Sequence, residues 1–320
     1  MMICSKAPGK IILFGEHFVV RGFPGIGTAV SSYARVCVEE SSRTFLESKQ
    51  LGLVYDEVRG VGIGSGFETL IREIRDLGCS RSFKAAIDSS IFISSGMGSS
   101  AAVSVALAHA LLRFCNIEPS KELVSKIAFE SEKKVHGRPS GIDNTLATYG
   151  GLVYYRAGSF KRISVEWPDE YSFLVVNSGI ERDTGSVVRD VLELYERRRE
   201  ILDHIYRSAE VLVEEALKMI HERDFKSLGE LMNINQGLLY AINTSCHVCE
   251  DIIWILRRSG ALGAKISGAG RGGIVIALFK SHDLKNAVKI ISERGLNYLV
   301  VKPDELGVRE SEQPSYNPEE

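Results

Sequence analysis

Three segments far apart in the chain carry residue types that could do chemistry together. The first is Gly96-Met97-Gly98-Ser99-Ser100-Ala101. Glycines and serines leading into a helix present unpaired backbone N–H groups and the positive end of the helix dipole, which together bind an anion such as a phosphate. Residues 101–108 lack a strongly polar face and read as a buried helix packed on a sheet. On this loop alone, an ordinary buried helix with a flexible Gly-Ser start stands about equally well. The chain has no G-x-x-x-x-G-K-[S/T] phosphate loop, so a phosphate would rest on Ser99, Ser100 and main-chain amides.

The second segment, residues 5–17, sets Lys10, Glu16 and His17 around an apolar, strand-like run. An ammonium beside a reacting hydroxyl or phosphate would offset developing negative charge. Taken alone, the segment fits a solvated lysine near a turn and a histidine bonded to backbone rather better. In residues 130–144, Glu132 sits near a helix end and Asp143 lies beyond a Gly-Arg-Pro-Ser-Gly turn able to fold it back toward Glu132. One carboxylate suits Mg²⁺, a hard cation that takes oxygen ligands; the other suits a proton acceptor at a substrate hydroxyl. Glu130 and Lys134 read as a surface i,i+4 pair. Residues 268–273 hold a further glycine cluster, Gly-Ala-Gly-Arg-Gly-Gly, which permits close approach to a ligand or equally makes a tight hairpin connection.

The elements that must position these residues follow from pattern. Residues 36–38, 91–93 and 150–155 read as strands; 67–77 and 120–135 read as helices, the second capped by Ser120. In the second half, strands are expected at 173–176, 264–266, 274–279 and 298–301, with helices at 185–222, 225–242, 247–258 and 283–293. This mixture indicates an α+β architecture in two domains, 1–168 and 169–320, divided near Trp167-Pro168. The Gly60–Gly66 run looks like a dinucleotide loop, but residues 55–59 before it mix acid and base and make a poor buried strand. The tail from Arg309 is polar and expected to fray.

Composition narrows the function. With 39 basic and 41 acidic side chains the formal net charge is −2, which gives no footprint for nucleic acid or an anionic membrane. No apolar run approaches the ~18–20 residues that span a bilayer, and a cytoplasmic location is expected. The six cysteines are scattered, and only Cys246-His247-Val248-Cys249 has suggestive spacing. No second ligand pair stands at zinc-like spacing; a redox pair at a helix start is the lesser reading, and two small residues at a helix start is the better one.

In this order, A-P-G-K-I-I-L-F-G-E-H at 7–17, G-M-G-S-S-A-A at 96–102, H-G-R-P-S-G-I-D-N at 136–144 and K-I-S-G-A-G-R-G-G at 265–273 resemble the motifs of the GHMP kinase superfamily, most nearly its mevalonate kinase branch. The resemblance covers nearly the whole chain. A galactokinase-like chain would follow G-E-H with T-D and an asparagine, where Phe18-Val19-Val20 stands here.

The resemblance implies a ribosomal protein S5 domain 2-like nucleotide-binding domain with a left-handed β-α-β unit, followed by a ferredoxin-like domain. It implies ATP in the cleft between them, its phosphates on Gly96, Met97, Gly98, Ser99, Ser100 and Ala101, and Mg²⁺ on Ser100 and Glu132. Asp143 and Lys10 would be catalytic. Glu16, His17, Ser140 and Thr184 would contact the substrate, and the reaction implied is phosphorylation of the 5-hydroxyl of (R)-mevalonate. A phosphomevalonate or sugar kinase, or a nucleotide-binding sensor without chemistry, are the alternatives. The implied partners are small molecules, and a homodimer is left open. Arg271 stands where the last motif commonly has glycine, and Gly185 where a basic residue is frequent.

Overall fold

The computed structural model describes residues 2–50, 52–58, 61–62, 65–136, 140–181 and 183–312. The N-terminal domain is built on a twelve-residue strand β1 (Ile3–Phe14) and a sixteen-residue strand β2 (Gly25–Glu40), paired antiparallel. Then follow β3 (Phe45–Ser48), β4 (Gly52–Asp56), β5 (Val61–Gly62), α1 (Ser65–Asp76) and β6 (Phe83–Ser89). Helices α2 (Ser99–Phe114), α3 (Lys121–His136) and α4 (Ile142–Tyr149) lead to the hairpin β7 (Leu152–Arg156) and β8 (Ser159–Ile163). The sheet runs β5-β4-β3-β6-β2-β1, with β7 on the first half of β2 and β8 beyond it.

Alternation alone does not explain β1, which is buried on both faces from Ala7 to Phe14. One face meets α2, whose Ala102, Val105, Ala106 and Leu107 are all buried, as the lack of a polar face predicts. Register shifts at Pro8/Gly9 and Ile12/Phe14 bracket Lys10 and Ile11. Bulges of this kind re-aim side chains, and here they turn a lysine on a buried strand toward the glycine loop.

The C-terminal domain holds β9 (Tyr171–Asn177), helices α5 (Thr184–Arg197), α6 (Arg199–Glu222), α7 (Phe225–Ala241) and α8 (His247–Arg258), then β10 (Gly263–Ser267), β11 (Ile274–Lys280), α9 (Leu284–Glu293) and β12 (Tyr298–Val301). Its antiparallel sheet has the order β10-β11-β9-β12. With the four helices between β9 and β10 taken as one enlarged crossover, this is the β-α-β-β-α-β order of a ferredoxin-like unit.

Four local expectations need correction. Residues 91–93 are not a strand: β6 ends at Ser89, and the chain turns through Ser95, whose Oγ donates to the Phe92 carbonyl at 2.8 Å. The single helix expected over 185–222 is two, broken at Arg198 (φ −134°, ψ 38°), where Tyr195 packs edge-on against Tyr206 with ring centroids 5.1 Å apart. Residues 55 and 56 do close a strand, β4, with both side chains buried; of the glycine-rich run behind it, Gly60, Ile63 and Gly64 lie outside the described residues. Glu130 pairs with Lys133 at 2.7 Å rather than with Lys134.

The chain also does not stay in the second domain after β12. Ser31 N–H donates to the Lys302 carbonyl and Asp304 N–H to the Ala29 carbonyl, both at 2.9 Å, and β13 (Arg309–Glu310) adds to the free edge of β1. Asp304 fixes this return. Its carboxylate accepts from Tyr33 Oη at 2.7 Å, from the Gly307 N–H at 2.8 Å and from Arg309 at 2.8 Å. Burial and the Asp304 carboxylate push the Tyr33 hydroxyl up to about 12, so it stays a donor. Residues 309–310 are therefore a strand and not a frayed tail, while 313–320 lie outside the described residues.

The cysteines are not scattered in space. Cys4 and Cys37 face each other across β1 and β2 as a disulfide, and a second disulfide joins Cys79, just beyond α1, to Cys115 at the end of α2.

Beneath the sheet, Ser5 Oγ lies 2.7 Å from His109 Nδ1, with both residues buried. Burial, helped by the nearby Arg113 charge, pushes His109 down from 6.5 to about 4. As pH falls below 6.5 the unfolded chain takes up this proton before the folded one does, so stability is full above that value and declines toward pH 4. The decline attributable to this one group is on the order of 3 kcal/mol. We expect His109→Gln to flatten the acid limb of a urea-unfolding pH profile between these values. An unchanged limb would remove His109 from the account.

Candidate active site

The glycine loop is shaped by backbone that side chains rarely adopt. Gly96 (φ 89°) and Gly98 (φ 72°) are left-handed, and Gly98 is the N-cap of α2. The loop lies against β1, for Lys10 N–H donates to the Met97 carbonyl at 2.9 Å. A Cβ on Gly98 would stand 3.1 Å from Lys10 Cγ and 3.5 Å from an Asp143 carboxylate oxygen. One glycine thus leaves room for the two groups expected to do chemistry. Lys10 Nζ is 3.1 Å from Asp143 Oδ1; the lysine side chain is 9% exposed and the aspartate side chain 36%. Asp143 sits in the first turn of α4, behind the left-handed Gly141 N-cap (φ 81°), so that α4 carries the carboxylate back to β1.

In the first turn of α2, Ser100 Oγ donates to Glu132 Oε1 at 2.7 Å. Ser100 is exposed and Glu132 is buried on α3. The first N–H groups of α2 have no carbonyl four residues back within the helix, and Ala102 N–H is already bonded to the Gly98 carbonyl at 3.0 Å. A hydroxyl, a carboxylate and a helix N-terminus suit Mg²⁺ carried with phosphate, because Mg²⁺ is usually held by one or two carboxylates plus substrate oxygens. Among the described residues, no group of three His, Cys, Asp or Glu forms an all-protein metal cage. Two expectations for the loop narrow to main chain: Met97 and Ala101 are buried in the core, so neither side chain can meet a nucleotide.

The substrate-contact expectations divide. Glu16 is turned away from open solvent. Its carboxylate pairs with the Lys265 ammonium and accepts from Asn235 Nδ2 at 3.0 Å, and the Glu16 and Lys265 side chains are both fully buried. The pair lies in the seam between the domains. Burial pulls the Lys265 ammonium below the ordinary lysine range, while the Glu16 charge opposes that shift. His17, also buried, donates from Nε2 to the Ala269 carbonyl at 2.7 Å, which joins the first and last glycine motifs. Ser140, exposed, stands one turn before Asp143, its Oγ 3.5 Å from the Ile142 N–H. Thr184, also exposed, begins α5, which Asp183 caps through the Gly185 and Ser186 N–H groups; Arg182 lies outside the described residues.

Residue typing alone did not find the rest of the seam. Ser267 Oγ accepts from Ile12 N–H at 2.8 Å and donates to the Ile12 carbonyl at 3.0 Å. Phe18 packs edge-on against Tyr206 at 4.9 Å, inside the C-terminal core. Three amides, Asn233, Asn235 and Gln236, stand among the apolar residues of 231–241 in α7 and are the sequence feature that marks this seam. Arg271 is left-handed (φ 55°), and its guanidinium is held by Asp190 and by the Asn243 carbonyl.

These features define a class. Residues 60–151 match the family model "GHMP kinases N terminal domain" and residues 213–295 match "GHMP kinases C terminal", and the chain belongs to the GHMP kinases. Within that class it falls among the mevalonate kinases. It is 35% identical to the mevalonate kinase of Aeropyrum pernix over 95% of this chain and 97% of that protein. With the mevalonate kinase of Thermococcus sibiricus the identity is 38%, over 91% and 93%. The crystal structure of L. major mevalonate kinase in complex with R-mevalonate superposes with a TM-score of 0.81 at 32% identity, covering 93% of this chain and 95% of that one. A Lactococcus lactis galactokinase at 17% identity (TM-score 0.76) shares the fold.

Removing one partner of a buried ion pair strands the other, at about 3–5 kcal/mol. We expect Glu16→Gln and Lys265→Met each to destabilise by that amount in chemical denaturation, and the double variant to lose clearly less than their sum. Additive losses would show that the two groups do not act as a pair.

Proposed function

We propose that this chain transfers the terminal phosphoryl group of ATP to the 5-hydroxyl of (R)-mevalonate, yielding ADP and 5-phosphomevalonate. One observation carries the reading: Lys10 and Asp143 form a pair at 3.1 Å beside Gly98, the N-cap of the helix that bears Ser100, which is bonded to Glu132. Phosphoryl transfer needs alignment and electrostatic stabilisation more than covalent help from the protein, and these groups supply both.

In this reading the 96–101 loop holds the nucleotide phosphates through the main-chain N–H groups that open α2. Asp143, the more exposed of the pair, accepts the proton of the substrate hydroxyl as the oxygen attacks. Lys10, held by the buried strand, keeps its ammonium against the charge that develops there. Ser100 and Glu132 hold Mg²⁺, which when bound neutralises phosphate charge. Glu16 does not touch substrate; through Lys265 it fixes the distance between the glycine motif at 268–273 and β1. His17, Ser140 and Thr184 are the side chains we assign to the substrate end of the cleft.

Among the described residues no helix is long and apolar enough to cross a membrane. We place the reaction in the cytoplasm, where disulfides like the two described above are unusual outside hyperthermophiles.

The test is ADP release that depends on mevalonate. We expect Asp143→Asn to lower kcat by about 10²–10⁴-fold with ATP binding retained. Glu132→Gln should mainly raise the KM for magnesium ATP. Wild-type turnover by the Asp143 variant would remove its assigned role, and ADP release with phosphomevalonate but not mevalonate would move the substrate assignment.

A further inference from the structure

The six cysteines resolve into three spatial pairs, two of them disulfides, and the third is Cys246 with Cys249. Cys246 is the N-cap residue of α8, in extended conformation (φ −134°, ψ 161°), and makes no side-chain capping bond. Cys249 follows three residues later in the first helical turn. Their sulfurs are 3.1 Å apart. Cys246 is half-buried and Cys249 fully buried, giving one thiol that a reagent can reach and a second one directly behind it.

The turn that delivers Cys246 also cups the last glycine motif. The Thr244 carbonyl accepts from Arg271 N–H at 2.7 Å, and the Asn243 carbonyl accepts from Arg271 Nε at 3.0 Å. A Cβ on Gly270 would stand 2.0 Å from the Thr244 oxygen, so the two backbones are in direct contact. Gln236 bonds both sides of the junction: Nε2 donates to Ser245 Oγ at 3.2 Å and to Glu250 at 2.7 Å, while Oε1 accepts from Ile266 N–H at 2.9 Å. Ile266 is the neighbour of Lys265, the partner of Glu16. A shift at Cys246 therefore reaches the 265–273 segment through two bonded routes.

We propose that Cys246 and Cys249 form a redox-active dithiol, a thiol–disulfide exchange site whose oxidation acts on the 268–273 glycine loop. The oxidant class is a small-molecule disulfide, RSSR. The Cys246 thiolate attacks one sulfur of RSSR and forms a mixed disulfide; the first RS⁻ leaves and takes up a proton. The Cys249 thiol then loses its proton and attacks Cys246 Sγ, forming the Cys246–Cys249 bond and expelling the second RSH. Two thiols are oxidised by two electrons, and one RSSR is reduced to two RSH. Closing the bond to about 2.05 Å draws the sulfurs together by about 1 Å, which displaces the turn on which Arg271 and Gly270 rest.

The test uses the full chain equilibrated in glutathione redox buffers of graded ratio, quenched with an alkylating reagent and read by peptide mass spectrometry over 246–249. The site predicts one two-electron transition, from two alkylated cysteines to none, with no persistent glutathione adduct. Hydrogen exchange at 266–273 is expected to change several-fold across the same transition and to stay constant in Cys246→Ser, which keeps a competent N-cap. Cysteines that remain alkylated in the most oxidising buffer, or that stop at a mixed disulfide, overturn the exchange site. A clean transition with unchanged exchange at 266–273 overturns the link to the loop. Neither readout needs substrate turnover, so failure here is distinguishable from failure of the kinase assignment.

Discussion

The molecule depends on what a single strand can touch at once. β1 bonds to the 96–101 glycine loop through Lys10 N–H, to the Asp143 carboxylate through Lys10 Nζ, and to the second domain through both main-chain polar groups of Ile12. Just beyond its end, Glu16 and His17 reach Lys265 and the Ala269 carbonyl. A strand buried on both faces tolerates little adjustment, because each residue is already packed or bonded. The geometry of the cleft is therefore set by the register of β1 against β2, including the two irregularities that bracket Lys10.

The buried ion pair in the seam has a cost that its position explains. Two charges taken from water recover their desolvation only with good geometry and further hydrogen bonds. Lys265 finds them in Glu16 and the Ile266 carbonyl, and Glu16 also has Asn235. An apolar seam could hold two domains together with equal strength, but it would specify their separation less closely than a charge pair does. A kinase that aligns a hydroxyl with a phosphate gains from a fixed separation. Asp304 does comparable work at the other end, tying the chain's return to the first sheet.

Much of this was legible in the residues. The helices expected at 225–242 and 247–258 and the strand at 298–301 appear within a residue of their expected ends, because their hydrophobic periodicity and flanking turns agree. Lys10, Ser100, Glu132 and Asp143 could be nominated because glycine-rich loops advertise close approach. What stayed hidden was long-range pairing. Glu16 is 249 positions from Lys265, and no local pattern says that one carboxylate will turn into a seam while Asp143 stays in the cleft. The break at Arg198 lies inside a run of helix-forming residues with no glycine or proline to mark it. The Cys4–Cys37 pair depends on the register of β1 against β2, which sequence spacing does not contain.

The most direct test of the central claim is a crystal structure of the chain with mevalonate, Mg²⁺ and a non-hydrolysable ATP analogue. The terminal phosphate is expected at the N-terminus of α2, with the metal on Ser100 and Glu132. The substrate hydroxyl is expected within hydrogen-bond reach of Asp143, with Lys10 beside both reacting oxygens. A nucleotide bound away from the 96–101 loop, or a hydroxyl that meets neither Asp143 nor Lys10, would contradict it.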